Sequence, residues 1–146
     1  MLKNRLLEQL RITHPIIQAP MAGGITTSKL VAEVSNSGGL GMIGAGYMSP
    51  EQMKKQILEI KNLTTKPFGV NLFVPLPLSS SDEEIKTAQS LLQPFHEQLK
   101  LEQQLEIELP TYSKELEKFY AKMEIVIEHK LPICSFTFGI PPQEII

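Results

Sequence analysis

Four short apolar segments recur along the chain, at residues 14–19, 40–45, 68–74 and 132–138. The stretches between them carry apolar residues every three or four positions, as amphipathic helices do. The segment at 68–74 is apolar almost throughout, which is typical of a strand buried on both faces of a sheet. Strands that alternate with helices build right-handed βαβ units. The sequence therefore predicts an α/β fold with a parallel sheet of four buried strands.

The predicted helices begin and end at capping residues. Hydroxyls at residues 26–28 can cap a helix that the glycine pair at 38–39 would end. Ser49 and Gln52 have the spacing of a capping box, with Pro50 between them at the first helical position. A short amphipathic helix is also predicted over residues 2–10.

The interval between the third and fourth apolar segments is long and polar. Residues 113–129 have an apolar stripe and are predicted to form the crossover helix. Residues 82–108 are predicted to be a helical insertion, in which a helix over 82–105 is interrupted near Pro94. The charged residues between 97 and 122 are predicted to form a solvated helix face, and an alternative hypothesis makes this region a lid or a partner surface.

The last six residues, 141–146, have the composition of the first turn of a helix. Four βα steps that end there would leave long apolar edges on an open sheet. We therefore expect residues 1–146 to be the N-terminal half of a larger domain.

Composition excludes several functional classes. The 146 residues include 14 basic and 16 acidic side chains, so the net charge of −2 does not suit a nucleic acid or an anionic membrane. No apolar run approaches the roughly 20 residues that span a bilayer. The single cysteine, Cys134, excludes an internal disulfide and suits a reducing compartment. We expect a cytoplasmic protein.

The loops that follow the apolar segments are rich in glycine and nearly free of charge. They comprise residues 19–24, 44–47, 71–75 and 136–139. In parallel α/β folds, ligands bind where such loops meet. Glycine lets backbone atoms come close to a flat neutral ligand, so the loops favour a flavin ring over a phosphate cluster or a metal.

Three sequence blocks carry a family resemblance. They are IIQAPMAGG at 16–24, VSNSGGLGMIGAG at 34–46 and KPFGVNL at 66–72. In order and spacing they resemble the nitronate monooxygenase family, formerly called 2-nitropropane dioxygenases. The resemblance implies an FMN-containing (β/α)₈ barrel, of which this chain supplies about the first four βα units. It also implies oxidation of alkyl nitronates by dioxygen to a carbonyl compound and nitrite.

The resemblance also implies which residues contact the cofactor. Ala19, Pro20 and Met21 match the family segment whose backbone lies along the flavin ring, and Asn71 matches an asparagine that contacts FMN. A polar side chain in an apolar strand needs a hydrogen-bond partner, which a cofactor would supply. The alternative is that Asn71 bonds a neighbouring loop backbone and that the Met21 side chain only packs.

No catalytic residue is assigned within the chain. The family's catalytic histidine and phosphate-binding loops lie in later strands. His14 and His129 precede predicted strands and so belong to the opposite edge of the sheet, and His96 lies in the insertion. We therefore expect the chain alone to be inactive and to retain no stoichiometric FMN.

Other interpretations remain open. A related FMN-dependent enoyl-acyl-carrier-protein reductase usually carries Gly-Gly-Met where this chain has Ala19-Pro20-Met21, and this difference favours the nitronate enzyme. A noncatalytic half-barrel is a further alternative, and a homo-oligomer is compatible with either. The G-x-G-x-x-G match at 39–44 is not a dinucleotide fingerprint, because it follows a helix and runs through a predicted strand.

Overall fold

A computed structural model describes residues 5–77, 80–99 and 111–145 of the chain. The main elements in chain order are α1 Arg5–Leu10, α2 Ser28–Asn36, β1 Gly41–Gly44, α3 Pro50–Leu63, β2 Phe68–Phe73, α4 Asp82–Gln98, α5 Tyr112–Glu128 and β3 Ile133–Thr137. A single 3₁₀ turn, Gln143–Ile145, stands where the sequence predicts the first turn of a helix.

The three strands form a parallel sheet in the order β1-β2-β3. Gly44 of β1 is level with Asn71 of β2, and Asn71 is level with Ser135 of β3. Because consecutive strands are neighbours and all run in the same direction, the predicted α/β class with a parallel sheet is confirmed.

The first apolar segment is not a buried strand, contrary to prediction. It makes one isolated parallel bridge, between Ile17 and Leu40, and the side chains of Ile16 and Ile17 are more than half exposed. The ladder stops because the Gln18 side chain replaces the next backbone pair. Its amide donates to the Met42 carbonyl at 3.2 Å and accepts from the Met42 N–H at 3.1 Å.

The main core lies between the sheet and helices α2, α3 and α5. Phe68, Val70 and Leu72 on β2 point to this side, where they pack with Ile57 of α3 and Phe119 of α5. Side chains alternate between the two faces of a strand. Gly69, Asn71 and Phe73 therefore face the opposite side of the sheet.

The predicted caps form as expected. The Thr27 hydroxyl accepts from Leu30 N–H at the start of α2, and Ser49 and Gln52 make both bonds of a capping box at α3. These bonds use backbone donors that a helix N-terminus leaves without internal partners.

Helix α4 differs from its prediction. It continues through Pro94 instead of breaking there, and none of its residues is buried. Proline removes one backbone donor, and the released carbonyl in an exposed helix is available to water. Part of the predicted insertion, residues 100–108, lies outside the described residues.

Candidate functional site

The carboxyl ends of β1, β2 and β3 lie at one edge of the sheet, which we call the rim. It comprises the loop at 19–24 and the segments that follow the three strands, 44–47, 71–76 and 137–139. Parallel α/β folds bind their ligands at this edge. The rim therefore contains the four residues that the family resemblance indicates, which are Ala19, Pro20, Met21 and Asn71.

The segment Ala19-Pro20-Met21 rests on Gly44. A β-carbon at Gly44 would come within 2.5 Å of the Met21 carbonyl carbon and 2.8 Å of the Ala22 nitrogen, so only glycine fits there. The buried Thr26 hydroxyl joins the two sides, because it donates to the Met21 carbonyl at 3.1 Å and accepts from the Gly44 N–H at 3.0 Å. This segment therefore has a defined position over the end of β1.

Asn71 is 5% exposed and finds its partners on β3. Its amide nitrogen donates to Ser135 Oγ at 2.9 Å and to Thr137 Oγ1 at 3.0 Å, and its amide oxygen lies 3.1 Å from Thr137 Oγ1. The predicted alternative of a bond to loop backbone does not occur among the described residues. The hydroxyls of β3 satisfy much of the amide, so burial alone does not require a cofactor. Within the residues that the structure describes, the amide oxygen accepts one hydrogen bond, from Thr137, and it can accept a second.

Three aromatic rings form a row along the rim. Phe73 packs edge-on against Tyr47, with centroids 5.3 Å apart, and against Phe138, with centroids 4.7 Å apart. Tyr47 and Phe138 are 77% and 66% exposed. Phe138 also has a left-handed backbone, at φ 70, which is uncommon for a bulky residue.

Lys122 is buried, and the prediction of a solvated charged face is wrong at this residue. It is 8% exposed, and its ammonium donates to the carbonyls of Ala45 at 3.1 Å and Gly46 at 3.3 Å. Burial lowers its pKa below the usual lysine value; the nearby Glu115 opposes this shift and Lys118 adds to it. A cavity of about 360 Å³ lies beside it, bordered by Tyr47 and Phe73 among others.

Residues 3–146 match the family model described as nitronate monooxygenase. The chain belongs to the nitronate monooxygenase family. It is 44% identical over 143 residues to the "Probable nitronate monooxygenase" of Staphylococcus haemolyticus, covering 98% of this chain and 38% of that relative. It is also 44% identical over 144 residues to the protein of the same name from Staphylococcus aureus strain Newman, covering 99% and 39%. The chain thus spans about two fifths of the length of these relatives.

Solved structures show the same likeness. A nitroalkane oxidase from Streptomyces ansochromogenes superposes with a TM-score of 0.82 at 32% identity, over 97% of this chain and 38% of the other. FabK from Thermotoga maritima superposes with a TM-score of 0.62 at 28% identity, over 95% and 32%.

The rim suits the flavin that the nitronate monooxygenase family implies. The cradle of Gly44 and Met21 is built from backbone, and the ring row is apolar. No group of three or more histidine, cysteine or acidic side chains able to hold a metal occurs within the described ranges. Backbone dipoles, one amide and aromatic edges fit a flat, largely neutral ring system.

The histidines of this family member lie away from the rim. His14 is exposed and precedes β1, and His96 is on the exposed helix α4. His129 caps the C-terminus of α5, at the opposite edge of the sheet. That the chain itself holds no catalytic residue stays a prediction.

Cys134 is half-buried on β3 and is suited to packing rather than to nucleophilic chemistry. Burial raises the pKa of its thiol to about 11, so the thiolate is scarce at neutral pH. Its side chain packs against the core that contains Val70.

No helix in the described part of the chain is long and apolar enough to cross a membrane.

Lys122 and the ring row were not predicted from the sequence. The apolar stripe of α5 comprises Phe119, Met123 and Val126, and Lys122 falls on the same stripe at helical spacing. A charged residue within an apolar stripe is the sequence signal that could have identified Lys122. The ring row also has a signal, because Tyr47, Phe73 and Phe138 each follow or end a strand and so lie at the same edge of the sheet.

Proposed function

We propose that this chain carries part of the FMN site of an enzyme that oxidises alkyl nitronates with dioxygen to a carbonyl compound and nitrite. Membership of the nitronate monooxygenase family supports this function, as does the likeness to a nitroalkane oxidase. The observation that carries it is the backbone cradle of Gly44 and Met21, which lies at the same rim as the Asn71 amide and the apolar ring row.

In this proposal the residues of the rim hold and orient the cofactor. Bound FMN would supply the redox chemistry, accepting electrons from the nitronate and passing them to dioxygen. The backbone of Ala19, Pro20 and Met21 would lie along the ring, and the Asn71 amide oxygen would accept its second hydrogen bond from it. Thr26 keeps the Met21 carbonyl in place for this contact.

The aromatic row would limit the access of water to the reacting atoms. Phe73, Tyr47 and Phe138 present ring edges and faces at the rim, which also suit the hydrocarbon part of a nitronate. The proton-transfer group is expected from a later strand of the whole enzyme. The same proposal makes the parallel strands β1, β2 and β3 consecutive members of a (β/α)₈ barrel, with α4 in an insertion.

The decisive experiment uses the protein at its full natural length. Incubated with an alkyl nitronate in air, it should consume oxygen and release nitrite without oxidising NADH or NADPH, and its visible absorbance should be that of a flavin. Oxidation of NADH driven by an enoyl thioester, without nitrite release, would instead establish the enoyl-acyl-carrier-protein reductase alternative.

A second experiment addresses the noncatalytic alternative. Residues 1–146 alone are expected to lack stoichiometric FMN and to aggregate or unfold. If this segment proves soluble and unfolds cooperatively, an independent noncatalytic module becomes the better account of it.

A further inference from the structure

Lys122 connects helix α5 to the turn that follows β1. The two residues that accept its hydrogen bonds, Ala45 and Gly46, are more than 70 positions away in sequence. Ala45 also donates to the Asn71 carbonyl at 3.1 Å, and its own carbonyl accepts from Met48 at 3.2 Å. The lysine is thus part of a small network that fixes this turn between β2 and α5.

The ammonium is held by carbonyl oxygens rather than by a carboxylate. Glu115, the acidic side chain whose charge acts on Lys122, is engaged with Lys118 at 2.7 Å. A charged donor to a buried carbonyl makes a stronger bond than a neutral one. The Lys122 ammonium gives the Ala45 carbonyl a second donor besides Met48 and also donates to the Gly46 carbonyl.

The 44–46 turn also supports the 19–22 segment, which is proposed to contact the flavin. Gly44 precedes Ala45 directly, and its Cα side is covered by the backbone of Met21 and Ala22. Gly46 lies against the Phe73 ring so closely that a β-carbon would overlap it. A displaced turn would therefore move both the Met21 backbone and Phe73.

We infer that Lys122 is a positioning residue that holds the 44–46 turn, and through it the 19–22 segment, in the arrangement that receives FMN. This inference rests on the proposed function for its ligand, while the contacts that carry it belong to the chain itself. Lys122 does not need to touch the flavin.

The test compares Lys122→Met, Lys122→Arg and the control Lys118→Met in the protein at its full natural length. Lys118 lies one turn earlier on the same helix, its side chain is 54% exposed, and it bonds Glu115 instead of the turn. Lys122→Met should weaken FMN binding about tenfold or more, because the turn loses both of its charged hydrogen bonds, and it should change the flavin absorbance spectrum. Lys122→Arg should recover most of the affinity, and Lys118→Met should behave as the parent protein.

A readout without flavin keeps the two proposals separate. In the flavin-free protein, Lys122→Met should speed amide hydrogen exchange in residues 19–22 and 44–48, while exchange in α3 stays unchanged. Unchanged exchange at the turn in Lys122→Met would overturn the inference, as would equal changes in Lys118→Met. If Lys122→Met does not fold, the same comparison is made with Lys122→Gln. A parent protein that binds no FMN would refute the proposed function and leave the exchange result to decide the role of Lys122.

Discussion

Asn71 of β2 and Thr137 of β3 meet through both ends of the amide, with Thr137 Oγ1 3.0 Å from Nδ2 and 3.1 Å from Oδ1. The two residues are not level in the sheet, because Thr137 is opposite Phe73 and Asn71 is opposite Ser135. The amide thus spans two steps of the neighbouring strand and locks their relative positions at the rim.

Asn71→Leu is expected to lower the free energy of unfolding by about 1–3 kcal/mol, because two hydroxyls lose their partner in a buried place. Combined with Thr137→Val, it should show a coupling energy of about 0.5–3 kcal/mol in a double-mutant cycle of urea unfolding. Thr87→Val on the exposed helix α4 is the control and should add independently. Additive effects of Asn71→Leu and Thr137→Val would contradict the network.

Helices α3 and α4 both begin with a capping box, at Ser49 and at Ser81, and the two should differ in their contribution to global stability. Ser49→Ala removes the cap of α3, which places Met53, Ile57 and Ile60 in the core, and should cost about 1 kcal/mol in thermal or urea unfolding. Ser81→Ala removes the same motif from α4, which buries no residue, and should leave the global transition unchanged. Equal losses in the two variants would mean that α4 is part of the cooperative core.

Gly44→Ala should disturb the rim because the added methyl group meets backbone atoms that cannot rotate away. The backbone at Met21 and Ala22 must shift, and overpacking of this kind costs about 1–3 kcal/mol. Gly139→Ala is the control for stability, since the nearest atoms that its β-carbon would meet belong to the Val74 and Leu76 side chains and are no closer than 3.1 Å. Thermal unfolding of both variants and FMN titration of Gly44→Ala measure the effect, and a Gly44→Ala protein that matches the parent in both would refute the cradle.

Lys122 should give the unfolding free energy a characteristic pH dependence. Its pKa in the folded protein lies below the usual value of 10.5, so between these two values the unfolded chain binds more protons. Stability should therefore rise with pH across this window, and the difference between the parent and Lys122→Met should shift in favour of the parent. Urea unfolding at several alkaline pH values checks the sign, with Lys86→Met on the exposed helix α4 as the control. A constant difference would rule out the shift.

Cys134 should resist alkylation in the folded protein. With the pKa of its thiol raised from 9.0 to about 11, its thiolate fraction at pH 8 is about a hundredfold smaller than in the unfolded chain. Iodoacetamide labelling followed by mass spectrometry of the peptide that contains Cys134 reports this residue alone. Similar labelling rates with and without urea would contradict the burial of the thiol.

Features that depend on neighbouring residues were predictable from the sequence. The cap at Ser49 and the apolar run of β2 are local, and both formed as predicted. Two features were not predictable, because each joins residues more than 20 positions apart. They are the Gln18 side chain that replaces a backbone pair in the ladder and the hydrogen bonds from Lys122 to Ala45 and Gly46. The prediction failed at Pro94 for a different reason. A proline within a helical pattern predicts a break, but an exposed helix can tolerate the missing backbone donor. At the rim, the family resemblance indicated Asn71. Its partners on β3 could not be predicted, because they depend on the register between β2 and β3 in the folded sheet.

The side-chain pairing of Gln18 with Met42 has a consequence for local opening. A backbone ladder opens by separating two chains, whereas this pair opens when one side chain rotates and its two bonds, at 3.2 and 3.1 Å, exchange with water. Local openings that break few bonds and bury little apolar surface have the lowest free energies. The Gln18 side chain can therefore release Met42 while the two backbone bonds of Leu40, from the Gln18 N–H and to the Ile16 carbonyl, stay in place, so this end of the sheet opens in two separate steps.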